Sequence, residues 1–141
     1  MYCIDASVIV NSFFPKESQH QYSYELMKYI HASQTIVYLP ELVLPEISSA
    51  IVRGTADSEL AIEFIKQMLA IPFFNYIPID RDISFSAAEI AAISKLKGAD
   101  AIYIAVSKYF NISLITLDIR QKEKGSSFIQ VYTPKEIIAK I

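Results

Sequence analysis

Apolar positions along this chain follow two alternating rhythms, short uninterrupted runs and longer stretches in which apolar residues return every three to four positions. The first run, Tyr2-Cys3-Ile4, suits a buried strand and passes directly into Asp5-Ala6-Ser7, where Asp5 and Ser7 favour capping a helix. That helix carries Val8, Ile9, Val10, Phe13 and Phe14 and is halted by Pro15. A second, from about Ser18, places Tyr22, Leu26, Tyr29 and Ile30 at helical spacing. Thr35 to Leu39, β-branched and aromatic, reads as a second strand closed by Pro40. Leu42, Ile47, Ala50 and Ile51 then predict a helix with Pro45 and Glu46 in its first turn and Gly54 at its end. Asp57 or Ser58 caps the next helix, which turns Leu60, Phe64, Met68 and Leu69 to one side. Phe73 to Ile79 reads as a third strand, and Asp82 or Ser84 opens a helix through Ala87, Ile90, Ala91 and Leu96.

In the second half, Gly98 is suited to stop that helix in a left-handed conformation, and Asp100 to serve as N-cap of the next. The Asp100 helix carries the stripe Ala101, Ile102, Ala105, Val106 and Tyr109. Ser113 to Asp118 is an apolar strand that again terminates in an acid, followed by a charged loop over Arg120 to Ser127. Phe128 to Tyr132 makes a final strand, and Thr133-Pro134-Lys135-Glu136 is a capping box that starts a helix running to near the C-terminus. Strands separated by helices imply an α/β fold, with a central, mostly parallel sheet flanked by helices on both faces. No repeat, linker or low-complexity segment divides residues 1–141, so one domain is expected.

Composition narrows the chemistry. The chain is 52% hydrophobic, with a mean hydropathy of +0.30. That is high for a soluble monomer and, with Tyr22, Tyr24 and Tyr29, suggests a homodimer. The longest stretch without a charged side chain, Gln67 to Ile79, contains two prolines and is far shorter than the roughly 20 residues a membrane span needs. No signal peptide pattern opens the chain, and Cys3 is the only cysteine. A cytoplasmic protein without disulfides or cysteine-based zinc is therefore expected. At a formal charge of −2, nucleic acid is not attracted by the molecule as a whole, only by a local basic rim or bound metal.

The three glycines, Gly54, Gly98 and Gly125, fit no phosphate-cradling pattern. His20 and His31 share one amphipathic helix with no nucleophile beside them, and Cys3 lies in an apolar strand as an inert core thiol. The carboxylates remain. In a parallel sheet, ligands bind outside the carboxyl ends of the strands, where Asp5 and Asp118 fall, and Asp100 can face the same edge. Each acid alone is equally well explained as a cap or a solvated strand end. If they converge, repulsion of about 4 kcal/mol per pair at ~4 Å and an effective dielectric of about 20 demands a cation or retained protons. Oxygen-only ligation suits Mg2+ or Mn2+, which activates water and supports phosphodiester displacement.

The strand-end Asp5 with Ser7, the helical Glu46, Ala99-Asp100-Ala101 and Thr116-x-Asp118 resemble, in order and across nearly the whole chain, the four acidic motifs of the PIN-domain family. The resemblance implies a three-layer sandwich and metal-dependent cleavage of RNA. It also implies kinship with VapC-like toxins, which are inhibited by an antitoxin protein that covers the active site and which commonly dimerise. By motif position, Asp5, Glu46, Asp100 and Asp118 would be the catalytic acids and ligate Mg2+ or Mn2+, supported by Ser7 and Thr116, with Asn11 at a frequently polar position nearby. Two departures stand out. Ser49 replaces the asparagine that many members have three residues after the helical acid, and Asp118 is followed by Ile119 and Arg120 without another acid. Arg120, Lys122 and Lys124 are candidates for RNA phosphate contacts or simply a solvated loop. The rival to the nuclease is a non-catalytic module that binds a protein partner or RNA.

Overall fold

The apolar runs become five parallel strands, and the expected helical stretches seven of the eight helices, in a computed structural model that describes residues 1–141. In chain order these are β1 (Tyr2–Ile4), α1 (Ala6–Phe13), α2 (His20–Ser33), β2 (Val37–Pro40), α3 (Val43–Thr55), α4 (Ser58–Leu69) and β3 (Phe74–Ile77). They continue with α5 (Arg81–Ser94), α6 (Gly98–Phe110), β4 (Ser113–Ile115), α7 (Ile119–Gly125), β5 (Val131–Tyr132) and α8 (Pro134–Ile138). The sheet order is β3-β2-β1-β4-β5, so the expected mostly parallel sheet is parallel throughout. From β1 the chain first winds outward through β2 and β3, then crosses back to β4 and β5 on the other side. Right-handed crossovers therefore put α1 to α4 on one face and α5 to α7 on the other. The packing agrees, since α1 lies on α2 and α3, α3 on α4, and α6 on α5 and α7.

Coverage of both faces is why the strands are apolar at consecutive positions: Cys3, Ile4, Leu114 and Ile115 are all fully buried. Burial pushes the Cys3 thiol up to about 12, which keeps it inert. No helix is long and apolar enough to cross a membrane.

Several boundaries differ from the sequence expectation, each for a local reason. Gly54 does not end α3, which closes at the left-handed Ala56 (φ 55°). A side chain at Gly54 would bring its Cβ to 2.6 Å from the Phe14 ring, so glycine serves close packing there. Asp80, rather than Asp82 or Ser84, caps α5 by accepting the Ile83 N–H at 2.9 Å. Gly98 does not stop α5, since Lys95 does so with φ 55°, and Gly98 is the first residue of α6. Lys97 is the N-cap of that helix and Asp100 stands inside its first turn, so Asp100 is not a cap. The charged segment after Asp118 is a helix, not a loop, because the Asp118 carboxylate accepts the Gln121 N–H at 2.9 Å and starts α7. β5 is correspondingly cut to two residues, while the Thr133 capping box forms as expected.

Candidate functional site

The winding reverses direction between β1 and β4, which leaves a crevice at the carboxyl edge of the sheet where two neighbouring strands send their chains opposite ways. Asp5 leaves β1 and Asp118 follows β4 at this crevice. Glu46 comes from the first turn of α3, beyond β2, and Asp100 from the first turn of α6. A cleft of about 600 Å³ is lined by Asp5, Glu46 and Asp100 together with Ser7, Ser49 and Arg53. Asp118 is not part of that lining but lies near enough to push up the pKa of both Asp5 and Asp100.

Asp5 is only 7% exposed. As N-cap of α1 its Oδ2 accepts the Ser7 N–H at 2.9 Å, while Gln121 Nε2 donates to Oδ1 at 3.3 Å. Burial raises its pKa, the bonds from Ser7 and Gln121 oppose that rise, and the charge of Asp118 adds to it. Glu46 is raised by burial and by Asp5 and Asp100, against the hydrogen bond that the Tyr103 O–H donates to Oε1 at 2.7 Å. Asp100 is pushed up to about 6 by burial, then by Asp118 and Asp5, with only Lys97 pulling it down. Neither ion pair of the chain, Lys28 with Glu25 and Lys122 with Glu136, involves these four acids. Arg53, at the cleft wall, donates to Ser49 Oγ at 2.6 Å.

Of the supporting residues, Ser7 Oγ accepts the Leu117 N–H at 3.2 Å and so ties α1 to the end of β4. Thr116, fully buried, accepts the Asp118 N–H at 3.0 Å and donates to Gln121 Oε1 at 2.6 Å. Asn11 stands apart from the cleft. Its Nδ2 donates to Ser18 O at 2.8 Å and its backbone carbonyl lies 2.8 Å from His20 Nδ1, so it secures the turn into α2. Lys122 is also structural, donating to Val131 O and pairing with Glu136 at 3.0 Å, and Arg120 donates to Lys95 O at 2.9 Å.

Two contributors escaped the sequence reading. Gln121 sits three residues after the capping Asp118, and that spacing is itself a helix-start signal. Tyr103 lies outside the apolar stripe expected of α6, yet it is fully buried, and a buried tyrosine needs a partner for its hydroxyl. A roomier apolar groove, about 660 Å³ between α1, α2, α4 and Phe74, has no carboxylate in its lining.

The donor set is oxygen-only and none of its acids is ion-paired within the chain, Lys97 only tempering the charge at Asp100, which fits a hard divalent cation. No three of the acids gather into a ready-made cage. Mg2+ in particular is commonly held by one or two carboxylates with water and substrate phosphate completing its shell, so the arrangement remains compatible.

Fold and site together define a doubly wound α/β protein whose ligand edge is acidic rather than glycine-rich. More specifically, the PIN domain model matches residues 2–126, and the chain belongs to that family. Among solved structures it is similar to Mycobacterium tuberculosis VapC20, described as a sarcin–ricin loop cleaving toxin. The identity is 18% over 93% of this chain and 98% of that one, with a TM-score of 0.74. It is likewise similar to FitAcB from Neisseria gonorrhoeae (17% identity, 96% and 99% coverage, TM-score 0.73). A toxin–antitoxin complex from Klebsiella pneumoniae gives 19% identity, 95% and 98% coverage and a TM-score of 0.67. At these identities the likeness is one of fold. No curated protein matches the chain.

Proposed function

We propose that this protein is a metal-dependent endoribonuclease that hydrolyses RNA phosphodiester bonds, and that it is the toxin of a toxin–antitoxin pair. The observation that carries this reading is the group of acids at the β1/β4 crevice, mutually repelling and none of them ion-paired within the chain. Family membership supports it, since PIN domains are typically nucleases, as does the naming of similar folds as toxins or toxin–antitoxin complexes.

Asp5, Asp100, Asp118 and Glu46 would hold Mg2+ or Mn2+, directly or through water. Such an ion supplies an activated water and neutralises charge on the phosphate during in-line displacement. The chain's own residues prepare the place for it. Ser7 and Thr116 fix the ends of α1 and β4, and Tyr103 holds Glu46 by its Oε1. Asp100, pushed up to about 6 by burial and its acidic neighbours, would hold such an ion in its deprotonated form. Incubating pure protein with RNA and Mn2+, with and without Asp5→Asn, tests the assignment. Loss of cleavage in the variant is expected, and equal cleavage by both would sink the site.

The second reading, a non-catalytic module, draws on the absence of a ready-made metal cage. The two readings part on thermal stability. A metal enzyme gains Tm with Mn2+, by an amount set by its affinity, and loses that gain on Asp5→Asn. A binding module shows no such gain.

In this reading the protein works in the cytoplasm, restrained by an antitoxin protein, as a homodimer. The exposed Tyr24 and Tyr29 on α2 are consistent with a partner copy. Light scattering should return twice the chain mass, and a monomer at high concentration removes the dimer.

A further inference from the structure

Gln121 is fully buried, yet every bond of its side chain goes to a residue of an acidic motif. Nε2 donates to Asp5 Oδ1 at 3.3 Å and to the Asp100 carbonyl oxygen at 3.2 Å. Oε1 accepts from Thr116 Oγ1 at 2.6 Å, and the residue's own N–H is held by Asp118 Oδ1 at 2.9 Å. A carboxylate and a carbonyl only accept, so the NH2 end must face Asp5 and Asp100. The threonine hydroxyl, already accepting the Asp118 N–H, has its own hydrogen free for the amide oxygen. The amide therefore has one orientation that satisfies all of its neighbours.

Packing alone does not account for this choice. A buried amide is costly unless its bonds are made, and an apolar residue filling the same space would need none. Ser7 secures one oxygen of Asp5 from two residues away, within the same turn. Gln121 secures the other from 116 residues away, across the crevice, and grips the first turn of α6 with the same nitrogen.

We infer that Gln121 is a positioning residue of the acidic site. It fixes the Asp5 carboxylate and the start of α6, which carries Asp100, against the ends of β1 and β4, so that a divalent cation meets carboxylates already oriented. This role rests on the metal reading proposed above. Partners of this kind typically change metal affinity by 10–100-fold when removed.

The test uses the full chain without RNA, with Mn2+ alone as the probe, titrated calorimetrically at a temperature where each variant is folded. Asp5→Asn should abolish or greatly weaken binding. Gln121→Met, similar in length but unable to make the bonds, should raise the Kd at least about tenfold. Thr116→Val, which leaves the amide in place without its anchor, should raise it in the same direction by less. A Gln121→Met protein with lowered Tm but a Kd within about twofold of the original overturns the positioning role and leaves a packing residue. If Gln121→Met does not fold, an unchanged Kd in Thr116→Val overturns it instead. Failure of the unsubstituted chain to bind Mn2+ overturns the metal reading and this role with it.

Discussion

Four aspartates do the same local task at two kinds of place. Asp57, Asp80, Asp5 and Asp118 each precede a helix and accept a backbone N–H at 2.9 to 3.0 Å. Asp57 and Asp80 do so exposed to solvent, where the cap is a sufficient account of the residue. Asp5 does so almost fully buried, and with Asp118 and Asp100 as like-charged neighbours. Serine, threonine or asparagine would cap α1 as well without charge, so capping explains a polar residue at position 5 but not a carboxylate. What separates site from scaffold here is therefore the electrostatic cost that a residue carries, not the motif it belongs to.

Under the proposed nuclease reading, the largest effect expected to separate the two places is on cleavage. Asp5→Asn keeps a capping side chain and should leave the fold intact, while Mn2+-dependent RNA cleavage falls at least about a hundredfold, as for loss of a group acting on the reacting centre. Asp57→Ala should do the reverse, lowering stability by about 1 kcal/mol with cleavage unchanged. Chemical denaturation and a cleavage assay on both variants check the pair. If Asp57→Ala impairs cleavage as much as Asp5→Asn, the distinction between cap and site collapses.

The same comparison shows how far the sequence could be read. The alternation of elements, the parallel sheet and the placing of Asp5 at the end of β1 came through because burial on two faces writes continuous apolar runs, whereas β4 stops at Ile115 and leaves Asp118 three residues beyond it. The errors gathered where one short-range signal has two physical uses. Glycine marks helix ends, but Gly54 packs closely against the Phe14 ring and Gly98 merely begins α6, while Lys95 and Ala56 adopt the left-handed conformations. A charged segment marks a loop, but the segment after Asp118 forms a helix because the strand-end acid caps it. The family resemblance puts Asn11 near the site by motif position, but the structure uses its amide in the turn to α2. Gln121 and Tyr103 were invisible for a deeper reason. The Asp118–Gln121 spacing signals a helix start, but the contacts of Gln121 with Asp5 and of Tyr103 with Glu46 span 116 and 57 residues, and no local pattern encodes those.

The smallest effect concerns Asp100 in the metal-free protein, and its sign is what matters. Its carboxyl titrates near 3.8 when unfolded and near 6 when folded, so between these values the folded state binds more protons. Stability from this group is thus full below about pH 4 and is lost as pH rises through 6, with Asp5 and Glu46 acting in the same direction. Glu136, lowered by its bond from the Thr133 N–H, works the opposite way near the acid end. Because Asp100 is not a cap and the hydrogen bonds around it involve its backbone, Asp100→Asn forfeits little. The variant should be more stable than the original at pH 7 and equal to it at pH 4. Solvent screening of a partly exposed group limits the gain to about 1 kcal/mol or less. Under the proposed metal reading, saturating Mn2+ should reverse the order at pH 7, since only the original chain would offer the cation the full set of carboxylates. Thermal melts at the two pH values, with and without Mn2+, decide the matter. A loss of stability at pH 7 of the size expected for a removed cap would return Asp100 to the scaffold alongside Asp57 and Asp80.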